Sequence, residues 1–186
     1  MRTFIAAGLL VISTLANAQW AQEPASVMGI ELGGRRDAIP RCPPGDAARQ
    51  ARTPCLKADS ADRSIGTLWG LPLNFLLGGG RVSFIDGRVQ LIAIAVDRDD
   101  SYRRLKAILV ERYGEPHEVE VKSVVTNGGA VLDSEESMWR GPKVLILLSE
   151  RAGYTDQSRV AFSYRPLGQK KIEDDAKRDR SDASKL

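Results

Sequence analysis

The sequence predicts an α+β protein, in which an antiparallel sheet of about five to seven strands carries one main amphipathic helix on one face. Three observations predict this fold class. A turn signal at Asp86-Gly87 joins two strand-like runs, an amphipathic helix follows over about residues 100–113, and further alternating runs come after that helix.

The dipeptide Asp86-Gly87 suits a type I′ turn, because both central residues of that turn need a positive φ. Such a turn pairs the two strands in a fixed order, Ile85 with Arg88, Phe84 with Val89, Ser83 with Gln90 and Val82 with Leu91. One face of the hairpin is then apolar and the other polar. Residues 91–96 are apolar on both faces, which is typical of a central strand.

The helix after the hairpin has a start signal, an apolar stripe and a stop signal. Asp99, Asp100 and Ser101 supply capping oxygens and negative charge at its start. Gly114 suits the left-handed position after the last turn, and Pro116 prevents continuation. The apolar stripe that we expect to pack on the sheet contains Tyr102, Leu105, Ile108, Leu109 and Tyr113.

Residues 1–18 are predicted to be a secretory signal peptide. Arg2 gives a charged start, residues 4–15 are mostly apolar, and Ala16-Asn17-Ala18 is a small-x-small cleavage site. The apolar run is shorter than the roughly 20 residues of a membrane-spanning helix. We therefore expect a periplasmic or secreted protein that starts at Gln19 and has no membrane span. Since no cysteine follows the cleavage site, no lipid anchor is expected either.

Residues 19–166 have the length of a single domain, and residues 167–186 form a charged tail with one large apolar side chain, Ile172. Such a tail buries too little surface to offset its ordering entropy, so we expect it to be disordered or a fraying helix. Only Arg2 is charged in the predicted signal peptide, so its removal lowers the formal net charge from +3 to +2. This near neutrality argues against nucleic acid as the main partner.

Cys42 and Cys55 are the only cysteines, and an oxidising compartment favours a disulfide between them. In the chain-entropy model a loop of this length contributes roughly 3 kcal/mol to stability. The alternative is a redox pair or half of a metal site. The spacing does not match C-x-x-C, and a single histidine cannot complete a Cys/His zinc site without carboxylates.

Before the hairpin, residues 19–26 are expected to be a mobile lead-in, residues 26–32 a first short strand, and residues 35–39 a helical turn. The alternation from Trp69 to Phe75 predicts an edge strand, since it contains Pro72. The triple glycine at 78–80 is interpreted as a turn. It lacks the phosphate-loop pattern and leads into a strand.

After the helix, four strand-like runs predict a three- or four-stranded antiparallel meander. The first, residues 119–125, is expected to pair with the strands before the helix. The others lie within residues 131–140, 143–149 and 158–165, with turns at Asn127-Gly128 and Gly141-Pro142.

No catalytic, cofactor-binding or metal-binding residue is predicted, and no cofactor. His117 lies beside two glutamates, but no Ser or Cys can be placed near it, so a surface histidine is favoured over a hydrolase base. The acidic groups Glu135-Glu136 and Asp97/Asp99/Asp100 are interpreted as a solvated strand or loop and as a helix cap. They lack the calcium-loop spacing.

Trp69 and Trp139 lie in strand-like runs and are expected to be core or half-buried, with an exposed pair that forms a binding face as the alternative. Trp20 lies at the new N-terminus.

The layout resembles that of small exported α+β proteins of Gram-negative bacteria. The residues that carry the resemblance are Asp86-Gly87-Arg88-Val89, the run LVERYGEP from Leu109 to Pro116, Trp139 and the strand Val144–Leu148. The layout is similar in kind to the domains of outer-membrane-assembly lipoproteins and of secreted β-lactamase-inhibitor proteins. The sequence departs from the former in having no lipidation cysteine, and no functional residue is carried over.

Two functions are compatible with these features. The first is a non-catalytic periplasmic protein that binds another envelope or secreted protein through a sheet edge or loop, in a narrower form as an inhibitor or immunity-type protein. The second is a small-ligand carrier or enzyme with a pocket between helix and sheet, marked by a buried charged residue with a perturbed pKa.

Overall fold

The computed structural model describes residues 20, 23–58, 63–97, 99–126, 128–152 and 156–183. The predicted signal peptide and the Asn127 position of one predicted turn lie outside these ranges. The elements within them are β1 (Ser26–Val27), β2 (Ile30–Glu31), β3 (Cys55–Ala58), β4 (Ile65–Trp69), β5 (Gly80–Ile85), β6 (Arg88–Asp97), α1 (Asp99–Tyr113), β7 (Glu118–Val125), β8 (Val131–Arg140), β9 (Val144–Ser149), β10 (Gln157–Tyr164) and α2 (Arg165–Ala183).

The predicted α+β class is confirmed, with a larger sheet and one more helix than expected. Across the described ranges, one sheet contains eight strands in the order β3-β4-β5-β6-β10-β9-β8-β7, and β1 and β2 form a separate pair. All pairings between these strands are antiparallel. The strands after α1 form the predicted meander, with four members.

The expected pairing of residues 119–125 with the strands before the helix is wrong. β10, the last strand of the meander, lies beside β6, and β7 lies at the far edge. The two-sided apolar run of residues 91–96 is therefore central, between β5 and β10. Polar and apolar residues alternate in both β7 and β10. However, β10 buries Val160 and Phe162, whereas β7 has charged residues at alternate positions. Burial of more apolar surface favours β10 in the middle of the sheet.

The Asp86-Gly87 turn is confirmed, with φ of 50° and 69° at its two central residues. The predicted register holds for the two pairs next to the turn and then fails at a β-bulge, so that Ser83 faces Leu91 and not Gln90. The bulge turns Ile92, rather than Leu91, toward the core beside Val82. After a bulge, every later side chain of the strand points to the other face than the turn would predict. The turn residues do not specify the bulge, so the change could not be predicted from them.

The strand expected over residues 69–75 is also wrong. The strand is β4, which ends at Trp69 and lies inside the sheet because β3 pairs with its outer side. Gly70 has a φ of 70°, and a side chain there would collide with the backbone of Thr53. Leu71 and Phe75 pack against the core from a loop, so their alternation reflects packing and not a strand.

The helix α1 packs its predicted stripe against the sheet. Tyr102, Leu105 and Leu109 are buried in one apolar cluster with the side chains of the central strands. Gly114 takes a φ of 79°, and its N–H donates to the carbonyl of Val110, so the predicted stop is confirmed.

Two expectations about the N-terminal segment are corrected. Two described residues of the predicted lead-in are held in place. Trp20 is buried, and one carboxylate oxygen of Glu23 accepts from the backbone N–H groups of Lys143 and Val144. The first strand is a tight hairpin of β1 and β2, in which Met28 and Gly29 both have positive φ. The helical turn is confirmed as a 3₁₀ turn over Arg36–Ala38.

For the C-terminal tail, the helical alternative matches the structure over residues 165–183. The first turn of α2 is attached to the sheet, because Arg165 donates its backbone N–H to Lys143 and its guanidinium to the Gly141 carbonyl. None of the described side chains of α2 is buried. Pairs such as Lys170–Asp174 and Lys171–Asp175 lie along its exposed faces.

Candidate functional site

The two edges of the large sheet differ in how they are covered. At β3, the backbone of Leu56 is bonded on its outer side by Pro40 and Cys42, at 2.7 and 3.1 Å. The disulfide between Cys42 and Cys55 (S–S 2.02 Å) holds this cover in place, which confirms the predicted pairing. At β7, no described segment lies along the outer side of the strand. The sheet therefore has one closed edge and one open edge.

The backbone groups that face the open edge follow from the register of β7 and β8. Just beyond the strands, Thr126 donates its N–H to the carbonyl of Ala130. Hydrogen-bonded pairs alternate along an antiparallel ladder, so every second residue of β7 before Thr126 is bonded to β8. The intervening residues direct their N–H and C=O groups outward, and these are Val119, Val121, Ser123 and Val125.

The same intervening positions carry exposed apolar side chains. Val119, Val121 and Val125 are 52%, 64% and 69% exposed, and Val131, which faces Val125 from β8, is 65% exposed. We name these four residues the valine edge. Since Val121 faces Glu135, and Glu135 contacts α1, the valine edge lies on the helix-bearing face of the sheet. Aligned apolar side chains beside unpaired backbone groups are the features that a partner strand requires.

The opposite face of β7 is charged. Lys122 lies between Glu120, at 3.2 Å, and Glu136 of β8. Glu118 lies 3.9 Å from the guanidinium of Arg140. Charged side chains on an edge strand discourage indiscriminate pairing, so one face of β7 limits aggregation while the other offers apolar contact.

A polar cluster under the valine edge joins β8 to α1. Oε1 of Glu135 accepts hydrogen bonds from Tyr102 (2.7 Å), Lys106 (2.6 Å) and Ser137 (2.9 Å). Burial alone would raise the pKa of Glu135, but the hydrogen bonds from Lys106, Tyr102 and Ser137 outweigh it, and the net pKa is lowered. Burial, and then the hydrogen bond to Glu135, raises the pKa of Tyr102. The carboxylate thus stays ionised and the phenol stays protonated.

The two acidic groups singled out in the sequence lie in different surroundings. Glu135 and Glu136 lie on the strand β8, where both are half-buried and ion-paired. The predicted strand position is therefore confirmed, but the predicted solvation of the two side chains is wrong. The other acidic group lies where α1 begins, as predicted, and Asp100 pairs with Arg103 at 2.6 Å.

His117 lies on the surface immediately before β7. Its Nδ1 accepts the backbone N–H of Arg140 at 2.8 Å, and its ring meets Trp20 edge-to-face with centroids 5.9 Å apart. The side chain therefore helps to hold the end of β8 beside the start of β7. In the described ranges, no group of three or more His, Cys, Asp or Glu could hold a metal ion.

The tryptophans do not form an exposed binding face. Trp139 is fully buried and donates its indole N–H to the Gly114 carbonyl at 2.8 Å, and Trp20 donates to the Tyr113 carbonyl at 3.0 Å. The indole N–H of Trp69 is buried without an acceptor among the described residues.

The space between α1 and the sheet is filled by packed side chains, including Leu105, Leu109 and Ile94. A shallow cleft of about 430 Å³ lies instead between α1 and the loop of residues 71–75, where Arg104 stacks on Phe75 at 4.6 Å. A larger cleft of about 960 Å³ lies beside β3, at the other end of the strand order from β7.

The open edge is not among the features predicted from the sequence, although its strand has a relevant pattern. The run EVEVKSVV alternates charge with valine, whereas the prediction of a strand here uses only its β-branched content. Charged side chains are one means by which edge strands avoid pairing with other chains, so the pattern is compatible with an edge, but a covered strand with one solvated face can show it too.

No helix in the part of the chain that the structure describes is both long and apolar enough to cross a membrane. No family model, curated protein or solved structure matches the chain.

Proposed function

We propose that this protein is a non-catalytic binding protein of the periplasm or the secreted fraction, and that it binds another protein by strand addition at β7. The observation that carries the proposal is the open edge of β7, where Val119, Val121 and Val125 combine outward N–H and C=O groups with exposed apolar side chains. Export rests on the predicted signal peptide, and the disulfide is compatible with an oxidising compartment.

The chemistry of the edge defines the partner. An added strand would place alternate side chains against Val119 and Val121, so we expect β-branched or other apolar residues at those positions. On the opposite face it would meet Glu118, Glu120 and Lys122, two acidic residues and one basic residue, which favours basic residues at the intervening positions. The partner is thus an extended segment of another envelope or secreted protein, with apolar and basic residues alternating.

The support beneath the edge favours a preformed site. β8 is held to α1 through Glu135, and its far end is held through His117. A preformed edge loses little conformational entropy on binding, which favours affinity. A narrower form of the proposal is an inhibitor or immunity-type protein. In that case β7 would pair with a segment of an enzyme that the enzyme needs for binding its own substrate.

To test the proposal, the oxidised protein of residues 19–186 is immobilised and an envelope extract is passed over it. The same capture is repeated with two variants of Val121. Val121→Pro removes an outward N–H while leaving the β8 ladder intact, since proline is tolerated where the N–H faces solvent. Val121→Thr keeps the N–H and is the matched control. We expect one stoichiometric partner on the wild type and on Val121→Thr, and none on Val121→Pro.

Hydrogen exchange on the captured complex gives the second measurement. Strand addition is expected to slow exchange at the outward amides of residues 119, 121, 123 and 125. Full capture by Val121→Pro, or slowed exchange confined to another surface, would overturn the proposal. Capture of a second copy of the chain would overturn the assignment to a different protein.

A further inference from the structure

The cleft of about 960 Å³ beside β3 is strongly basic. It lies at the opposite end of the sheet order from β7, so it is separate from the proposed strand-addition site. Among the described residues, six basic and two acidic side chains line it, a formal excess of four positive charges in a chain whose total is +3. The basic residues are Arg35, Arg36, Arg41, Lys57, Arg63 and Arg88.

The two acidic side chains are already engaged. Asp37 receives two hydrogen bonds from Arg35, at 2.9 and 2.6 Å. Asp86 lies 3.7 Å from Lys170, which belongs to α2 and not to the cleft lining. Among the described residues, no carboxylate is ion-paired with Arg36, Arg41 or the other cleft cations apart from Arg35. Of the described basic residues that line the cleft, Arg35 alone therefore has a counterion within it.

Backbone pairing holds the like charges together. Arg36 donates its N–H to the Gly87 carbonyl at 2.8 Å, and Arg35 forms a bridge with Arg88 next to the hairpin turn. The guanidinium of Arg88 donates to the Gly33 carbonyl at 3.0 Å. Positive charges that line one cleft repel one another, and a bound anion would offset that repulsion.

Arg36 also has an unmet hydrogen-bonding need. Its guanidinium lies over the ring of Phe84 at 5.4 Å, and its Nε is buried without an acceptor among the described residues. An unsatisfied buried donor destabilises the free protein. Because this Nε is closed off from solvent, a ligand would contact the part of Arg36 that lines the cleft, and a guanidinium offers several N–H donors to phosphate oxygens.

We propose that this cleft binds a ligand that bears two phosphate groups. Each phosphate monoester carries about −1.5 to −2 charges near neutral pH, so two phosphates match an excess of four positive charges. Four carboxylates would be needed for the same balance. Pro40, Pro43 and the Cys42–Cys55 disulfide line the same cleft and stiffen one wall, which lowers the entropy cost of binding.

The test is titration calorimetry of the oxidised protein with inorganic pyrophosphate at fixed ionic strength, and citrate is the carboxylate comparison. We expect saturable one-to-one binding that is at least about tenfold tighter than for citrate. Arg36→Gln and Arg41→Gln are each expected to weaken it at least about tenfold, equal to 1.4 kcal/mol. Arg103→Gln removes an exposed charge on α1 and is expected to leave binding unchanged.

A second arm distinguishes the source of the phosphates. Co-sedimentation with phosphatidylcholine vesicles that contain lipid A, a lipid with two phosphate monoesters, tests a lipid headgroup. Vesicle binding that Arg36→Gln abolishes supports a headgroup, and pyrophosphate binding without vesicle binding supports a soluble compound. The proposal is overturned if pyrophosphate does not bind, if citrate binds as tightly, or if Arg103→Gln weakens binding as much as Arg36→Gln. Val121→Pro is expected to leave pyrophosphate binding unchanged, so the two proposed sites can fail independently.

Discussion

The ammonium of Lys106 lies 2.6 Å from Oε1 of Glu135, and this ion pair joins the middle of α1 to β8. Both side chains are about one-third exposed or less. The contact therefore lies partly out of solvent, where an ion pair is screened less than on an open surface.

Glu135→Gln is expected to lower the free energy of unfolding by about 1–3 kcal/mol at neutral pH, since one oxygen of Glu135 accepts three hydrogen bonds. The folded pKa of Glu135 lies below its ordinary 4.5, so the carboxylate stabilises the fold above that pH. This contribution is lost as the pH falls through the folded pKa. Urea unfolding at several pH values should show the wild-type advantage shrinking below pH 4.5. Glu111→Gln, an exposed change on α1, is the control, and an advantage undiminished at low pH would contradict the prediction.

Comparing Trp139→Phe with Trp69→Phe tests how much an indole hydrogen bond contributes to the free energy of unfolding. Trp139 donates to the Gly114 carbonyl, whereas the buried N–H of Trp69 has no acceptor among the described residues. We expect Trp139→Phe to be more destabilising by at least about 1 kcal/mol, because Trp69→Phe removes an unsatisfied donor. Thermal unfolding measures both, and equal losses would show that volume alone decides the effect.

Replacing both cysteines, Cys42→Ser with Cys55→Ser, is expected to lower the free energy of unfolding by roughly 3 kcal/mol. The change also loosens the Pro40–Cys42 segment that covers β3. We therefore expect concentration-dependent association by size-exclusion chromatography, since an uncovered edge pairs with other chains. Wild-type protein under reducing conditions should behave in the same way. A variant as stable and monodisperse as the oxidised protein would argue against this role.

Removal of residues 174–186 is expected to change the free energy of unfolding by less than about 0.5 kcal/mol. None of the described side chains of α2 is buried, and its attachment to the sheet lies in its first turn at Arg165. Arg165→Ala is the comparison, because it removes the guanidinium bond to Gly141, and we expect it to cost more than the truncation. A large loss on truncation would mean that the exposed part of α2 contributes to packing.

Several features followed from short stretches of sequence. The Asp86-Gly87 turn, the start of α1 at Asp99 and the stop at Gly114 depend on residues within a few positions of each other. The open edge of β7 did not follow, because EVEVKSVV is an acceptable strand whether or not a neighbour covers it. The basic cleft did not follow either, since its arginines come from segments about fifty residues apart.

Four features could be predicted from the sequence: the α+β class, the central hairpin, the main helix with its buried stripe, and the cysteine pair. These depend on local φ preferences, side-chain periodicity and the absence of any other cysteine. Three others became evident only in the folded protein: β10 lies beside β6, a bulge turns Ile92 inward, and Trp20 is buried. They could not be predicted because strands with similar alternation of apolar and polar residues compete for the same neighbour. The outcome depends on the apolar surface that the whole sheet buries, which no single stretch of the chain contains.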